Sequence, residues 1–281
     1  VTFLHDNKEA VGVLTEDGAA VRPLPFADMN ALIQASREAL LAAVKGAAAT
    51  LPLSAVTLLA PIPRPRQDVI CLGINYKAHT EEAARYSSEA FTKERPIPIN
   101  FSKRVTEAVA PEGDIESHPG LVERLDYEAE LAVIIGKTAK NVMAEDAADY
   151  IFGYTVLNDV SARVLQTAHK QWYFGKSLDG FTPIGPCIVT ADEIVFPPAL
   201  HITARVNGEL RQDSTTDLLI TSIADIIEEL SSGMTLLPGT IISTGTPSGV
   251  GMGFDPPKFL KPGDVVECTI DGIGTLRNTV R

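Results

Sequence analysis

An α+β protein, mostly β, is predicted from three features of the sequence. Asp17-Gly18, Asn207-Gly208 and Asp271-Gly272 each stand between short runs of apolar and β-branched residues, and such dipeptides favour two-residue hairpin turns. Helical periodicity is confined to a few stretches, so strands dominate and the sheet is at least partly antiparallel. Pro52, Pro61, Pro63 and Pro65 punctuate an extended connection, and Pro61-Ile62-Pro63-Arg64-Pro65-Arg66 can form neither helix nor central strand. This connection reads as the link that ends a small N-terminal α/β domain, residues 1–66, and opens a larger domain, residues 67–281.

Taken in order, residues 1 to about 24 read as short strands. Asp28 to about Ala49 reads as one helix: Ile33, Leu40 and Val44 fall at i, i+7 and i+11, Met29 lies one turn earlier, and Arg37 interrupts the stripe. Val69-Ile70-Cys71-Leu72 is a short buried strand ending at Gly73. From Asn75 to Pro98 the chain is polar, with the composition of a mobile surface segment or lid. Ile97–Phe101 resumes a strand pattern. Residues 106–126, with Pro111, Gly113, Pro119 and Gly120, read as a long loop entering the strand that ends in Val133-Ile134-Ile135. A short helix over 144–150 and a strand over 153–157 follow, the strand delivering Asn158-Asp159. Ser161–Lys170 reads as a helix capped by Asp159 or Ser161, and Gly175–Gly180 as a loop before the strand Ile184–Thr190. A hairpin spans 202–211. Ser222–Ser232 is a helix with Ser222 and Asp225 as a capping box and Gly233 at its end. Thr240–Ser243 is a strand feeding the glycine-rich loop 244–253, and the chain closes on a hairpin over 264–280.

The chain has 281 residues, 45% hydrophobic and 21% charged, enough for one large domain or one large and one small. A net charge of -12 disfavours nucleic acid and anionic membranes as partners. No apolar run approaches the roughly 20 residues of a spanning helix, and Val1–Asp6 lacks the basic-then-apolar layout of a signal peptide. Cys71, Cys187 and Cys268 are odd in number and far apart, which points away from a disulfide framework and towards a reducing cytoplasm.

The chemistry centres on Asp126-Tyr127-Glu128-Ala129-Glu130. On a strand, Glu128 and Glu130 project to the same side, roughly 7 Å apart. Two carboxylates leading into an apolar strand repel and are costly to desolvate. A divalent cation offsets both costs, and oxygen ligands without an adjacent cysteine or histidine suit Mg²⁺, Mn²⁺ or Ca²⁺ rather than zinc. The spacing is equally that of two ordinary acids on a solvated strand face.

Other motifs fail on context. Gly249-Val250-Gly251-Met252-Gly253 has the glycine density of a dinucleotide loop, but its third glycine is misplaced and Pro256-Pro257 stand where a helix should begin. Gly175-Lys176-Ser177 has no upstream glycine at Walker spacing. No G-x-S-x-G or H-E-x-x-H element has the required setting.

Five separated stretches together resemble the fumarylacetoacetate hydrolase family, in the family's order across residues 67–281. They are Gly73–His79, Asp126–Leu131, Gly153–Arg163, Gly175–Gly180 and Ser243–Gly251. The resemblance is to the bacterial branch of acylpyruvases and 2-hydroxyhepta-2,4-diene-1,7-dioate isomerases. It implies a mixed β-roll catalytic fold, an accessory N-terminal domain, a homodimer and Mg²⁺ or Mn²⁺ held by Glu128, Glu130 and Asp159. It further implies that His79 and Glu82 form a base dyad, with Glu81 as a competitor for the second place, and that Lys176 pairs with a substrate carboxylate or oxyanion. Arg163 and Gln166, three apart on one helix, and Thr246 in the glycine-rich loop are implied as substrate contacts, with Tyr76 and Lys103 as weaker ones.

The function expected on this basis is hydrolysis of a C–C bond in an acylpyruvate-type 2-oxo acid, such as fumarylpyruvate or maleylpyruvate, in aromatic compound catabolism. The metal would act as a Lewis acid and His79 would activate water. Oxaloacetate decarboxylation, and isomerisation or hydration of an unsaturated 2-oxo dioic acid, would use the same site.

Overall fold

The computed structural model describes residues 1–83 and 98–281. It is mixed α/β and mostly sheet. The principal sheet has six strands in the order Ile184–Thr190, Ile151–Asn158, Ala129–Ile135, Ile241–Ser243, Val69–Gly73, Ile99–Lys103. All neighbours are antiparallel except Ile241–Ser243 against Val69–Gly73. A five-stranded sheet, ordered Glu209–Thr215, His201–Val206, Val265–Ile270, Gly274–Val280, Asp114–Ile115, packs against it. A further five-stranded sheet is formed by residues 2–58.

Ala129–Ile135 is buried at every position. Leu131, Val133 and Ile135 join the apolar cluster shared with the second sheet and with Ile223, Ile226, Ile227 and Leu230 of the helix Ile223–Gly233. Ala132 and Ile134 point the other way, into a cluster with Val11, Met29, Leu32 and Ile33 from the N-terminal part. Each large apolar side chain so buried contributes about 1.5–3 kcal/mol before chain entropy is charged. Glu130 shares the face of Ala132 and Ile134 by strand alternation, so a doubly covered strand fixes where its carboxylate stands.

Local turn chemistry behaves as read. Asn207 (φ 52°) and Gly208 (φ 80°) adopt the positive φ that a two-residue hairpin turn needs, and Ser222 caps the helix after it, its hydroxyl accepting from Asp225 N at 3.2 Å. Other expectations are corrected. The stretch 28–49 is two helices, Met29–Gln34 and Arg37–Gly46, because Ser36 caps the second, its hydroxyl accepting from Ala39 N at 3.2 Å. The helix expected over 161–170 is Arg163–Ala168, without a side-chain cap: Ser161 is in a short strand paired with Leu125–Asp126, and Asp159 is engaged elsewhere. Tyr173–Lys176 is a helical turn rather than part of a loop. The loop 106–126 holds the strands Asp114–Ile115 and Leu125–Asp126. The polar segment after Asn75 begins with the helix Lys77–Ala83; its continuation, residues 84–97, lies outside the described residues. Among the described residues no helix is long and apolar enough to cross a membrane.

Candidate active site

The register of two antiparallel strands assembles the site. Ala129 stands opposite Asn158 and Glu130 opposite Leu157, and Asp159 N donates to Glu128 O at 2.8 Å. Glu128 just before one strand and Asp159 just after the other are thus side by side. Ligand oxygens of Glu128, Glu130 and Asp159 all lie within 4.8 Å of one another, and the three residues are buried.

Basic groups surround two of the three carboxylates. Lys176 Nζ donates to Glu128 Oε2 at 2.7 Å and Asp159 Oδ2 at 2.6 Å. Lys103 Nζ bonds Asp159 Oδ1 and the Val160 carbonyl. Arg163 Nη1 lies 2.6 Å from Glu128 Oε1, and its Nε donates to Asp126 Oδ2 at 2.8 Å. Burial alone would raise the Glu128 carboxyl, but Lys176, Arg163 and His79 together hold it well below the usual range. Burial also works against the Lys176 ammonium, and Asp159 and Glu128 outweigh it, so its pKa is raised.

Glu130 is different. Its Oε2 accepts from the Ser243 hydroxyl at 2.6 Å and from Gly245 N at 2.8 Å, and it has no ion pair among the described residues. Burial, with Asp159 and Glu128 alongside, pushes its carboxyl up to about 8. A buried carboxylate beside two others, under-supplied with positive charge and in a donor set made of oxygen alone, fits a hard divalent cation.

His79 and Glu82 lie on one face of the helix Lys77–Ala83. His79 Nδ1 is 2.9 Å from Glu82 Oε2, both side chains are buried, and Glu81 is exposed, so Glu82 is the partner. A cavity of about 600 Å³ is lined by His79, Glu128, Glu130, Arg163, Gln166, Lys176 and Thr246. The predicted residues are therefore brought together, with three qualifications of role. Asp159 is wholly buried, off the cavity wall, and meets Lys176 and Lys103. Tyr76 is buried outside the lining, its backbone bridged to Leu219. Thr246 lines the cavity, but its hydroxyl donates to Ala129 O at 2.9 Å and accepts from Gln212 Nε2 at 2.8 Å, so its proton is already committed.

Several residues escape sequence reasoning. Asp126, wholly buried, accepts from Gly251 N at 2.7 Å and Met252 N at 3.0 Å besides Arg163. Gln212 crosses from the second sheet to Ala129 N at 2.9 Å. Trp172 and Phe101, ring centroids 5.2 Å apart, line the cavity, and a Cβ on Gly73 would lie 2.3 Å from the Trp172 ring. Thr167, at i+4 from Arg163 on the same helix, lines it too, as does Lys170 just past the helix end.

Fold and site together define a sheet-rich protein with a buried carboxylate cluster beside a His–Glu pair. The chain belongs to the fumarylacetoacetate hydrolase family: the Fumarylacetoacetate (FAA) hydrolase C-terminal family matches residues 68–281. It is similar to the oxaloacetate tautomerase YisK of Bacillus subtilis, 51% identical over 229 residues, covering 81% of this chain and 74% of that protein. Among solved structures it resembles a fumarylacetoacetate hydrolase from Exiguobacterium antarcticum, with a TM-score of 0.85 and 38% identity over 100% of this chain and 98% of that one. It also resembles a maleylpyruvate hydrolase from Sphingobium, with a TM-score of 0.77 and 31% identity over 100% and 99%.

Proposed function

We propose that this protein is an enzyme of 2-oxo dicarboxylic acids, dependent on Mg²⁺ or Mn²⁺, and that its reaction is keto–enol tautomerisation of oxaloacetate. One observation carries the reading: a single cavity is lined both by the carboxylate cluster and by His79, whose Nδ1 is engaged by Glu82. With Nδ1–H donated to Glu82, Nε2 is left as the proton acceptor. In the enol direction His79 takes the proton as the C3–H bond breaks and the 2-oxo oxygen gains it as the O–H bond forms; in the keto direction the O–H proton is given up and His79 reprotonates C3, so that one proton moves between C3 and the 2-oxo oxygen. When bound by Glu128, Glu130 and Asp159, the cation supplies Lewis-acid polarisation of the 2-oxo acid end. Lys176, held charged by two carboxylates, and Arg163 place fixed positive charge where negative charge develops. Lys170 lines the same cavity and has no ion pair among the described residues, which suits a second substrate carboxylate. The 51% identity to an oxaloacetate tautomerase supports tautomerisation over the alternatives.

Cavity size favours a second reading. About 600 Å³ is more room than a four-carbon acid fills, within the roughly 300–1,000 Å³ typical of sites for larger ligands. That room suits C–C hydrolysis of an acylpyruvate, with His79 activating water, as the similarity to a maleylpyruvate hydrolase supports. A panel with Mg²⁺ separates these: oxaloacetate followed by enol absorbance and by CO₂ release, acylpyruvates, and hydroxymuconate-type acids. Enol–keto exchange of oxaloacetate is expected to be fastest and to be lost in His79→Ala. Turnover of no 2-oxo acid, or full activity in that variant, overturns the reading.

A further inference from the structure

The alternating glycines of Gly249-Val250-Gly251-Met252-Gly253 fit no nucleotide-binding motif, yet each is required by a close approach. Gly249 N donates to Glu82 Oε1 at 2.9 Å. Gly251 N donates to Asp126 Oδ1, and a Cβ on Gly251 would lie 2.5 Å from that oxygen. A Cβ on Gly253 would lie 2.0 Å from Glu82 Oε1 and 2.2 Å from its carboxyl carbon. The loop therefore seats two carboxylates, Asp126 and Glu82, on glycine backbone. Tyr127 holds it, its hydroxyl donating to Gly249 O at 2.7 Å.

We propose that this loop positions the proton-transfer pair, with Gly249 and Gly253 as positioning residues that act on His79 through Glu82. The inference rests on the reading of His79 as the base. Glu82 spends one oxygen on Gly249 N and the other on His79 Nδ1. The loop thereby sets where the carboxylate stands, and the carboxylate sets the direction of the imidazole. The seat is also tied to the metal side. Asp126 accepts from Gly251 N at Oδ1 and from both Met252 N and Arg163 Nε at Oδ2, and Arg163 reaches Glu128. One buried carboxylate thus references the base to the metal ligands.

The two glycines call for different tests. At Gly249, φ is 101° and a Cβ would meet the Arg211 carbonyl at 1.9 Å, so alanine there strains the chain itself. At Gly253 φ is not positive, and the obstructing atoms are the far end of Glu82, so alanine displaces the carboxylate and leaves the backbone in place. Gly253→Ala is expected to lower kcat about 10²-fold, the scale of a base moved by about 1 Å, with KM changed less than about threefold and Mg²⁺ binding by calorimetry unchanged. Added to Glu82→Ala, the same substitution is expected to cost less than about threefold more, because its route is already cut. Penalties that multiply in the double variant, or a Gly253→Ala enzyme within twofold of wild-type kcat, overturn the proposal. Amide hydrogen exchange at Gly249 reads the seat without activity: Glu82→Ala is expected to speed it about tenfold or more, and unchanged exchange contradicts the seat. Wild-type protein that turns over no 2-oxo acid would remove the functional reading, while the exchange result would still decide whether the loop holds Glu82.

Discussion

The two halves of the site are built in opposite ways. Glu128, Glu130 and Asp159 grow from the ends of two long strands in antiparallel register unbroken from Ala129 to Ile134, sealed on both faces by apolar clusters. His79 and Glu82 ride on a helix described over Lys77–Ala83, where Glu82 accepts from the Gly249 amide of the glycine-rich loop. A cluster of like charges needs a rigid frame, since repulsion would otherwise spread it. A base that must meet a substrate gains from an element that other parts of the protein place. Damage to the first half should therefore unmake the protein or its metal site, and damage to the second should leave both and stop the chemistry.

Breaking the strand-built half gives the largest effect. Asp159→Asn removes the charge facing two buried ammoniums, Lys103 and Lys176. Lys176 keeps Glu128, and the charge left uncompensated on Lys103 is expected to cost about 3–5 kcal/mol of stability, read by denaturant unfolding, together with loss of Mg²⁺ binding. His79→Ala, by contrast, is expected to lower kcat about 10²–10⁴-fold with stability and Mg²⁺ affinity kept, which paired kinetics and calorimetry would show.

The pH dependence sharpens the comparison. In the folded, metal-free protein the Glu130 carboxyl is raised to about 8 from an ordinary 4.5. Between these values the unfolded chain sheds the proton and the folded chain keeps it, so this group's contribution to stability is full below about 4.5 and is lost as pH rises through about 8. A cation must displace that proton, so Mg²⁺ affinity is expected to climb as pH rises towards about 8 and to level above it; Glu130→Gln should flatten the stability slope. Calorimetric titrations across that range check the sign. The smallest effect is expected at the cavity's exposed cation: Lys170→Ala should raise KM for oxaloacetate about fivefold, the scale of one partly solvated ion pair, and leave KM for a monocarboxylic 2-oxo acid unchanged.

What was legible in the sequence follows the range of the forces involved. Hairpin turns such as Asn207-Gly208 are encoded by their own residues and formed where expected. The carboxylate cluster was legible through the family resemblance, since the spacing of Glu128 and Glu130 alone fits two ordinary acids equally and Asp159 comes from a separate motif. Local signals failed where they competed: Ser36 caps a second helix inside what looks like one apolar stripe, and Ser161, a good cap by type, pairs in a strand instead. The parallel pairing of Ile241–Ser243 with Val69–Gly73 joins segments far apart in the chain and leaves no local mark. The same holds for Asp126, whose partners Arg163, Gly251 and Met252 meet only in the fold, and for Gln212, which reaches Ala129 from another sheet. The glycine-rich loop was visible as a pattern, but its meaning lies in Glu82, 167 residues away.

The central claim is that three buried carboxylates hold the cation on which turnover of a 2-oxo acid depends. Its most direct test is the rate of oxaloacetate enol–keto exchange by metal-stripped protein as Mg²⁺ is added back, for wild type and for Glu130→Ala. Activity that returns in proportion to one bound Mg²⁺ in the wild type, and stays absent in the variant, is the predicted result. Full exchange in the metal-stripped protein, or a variant that binds Mg²⁺ and recovers like the wild type, would contradict it.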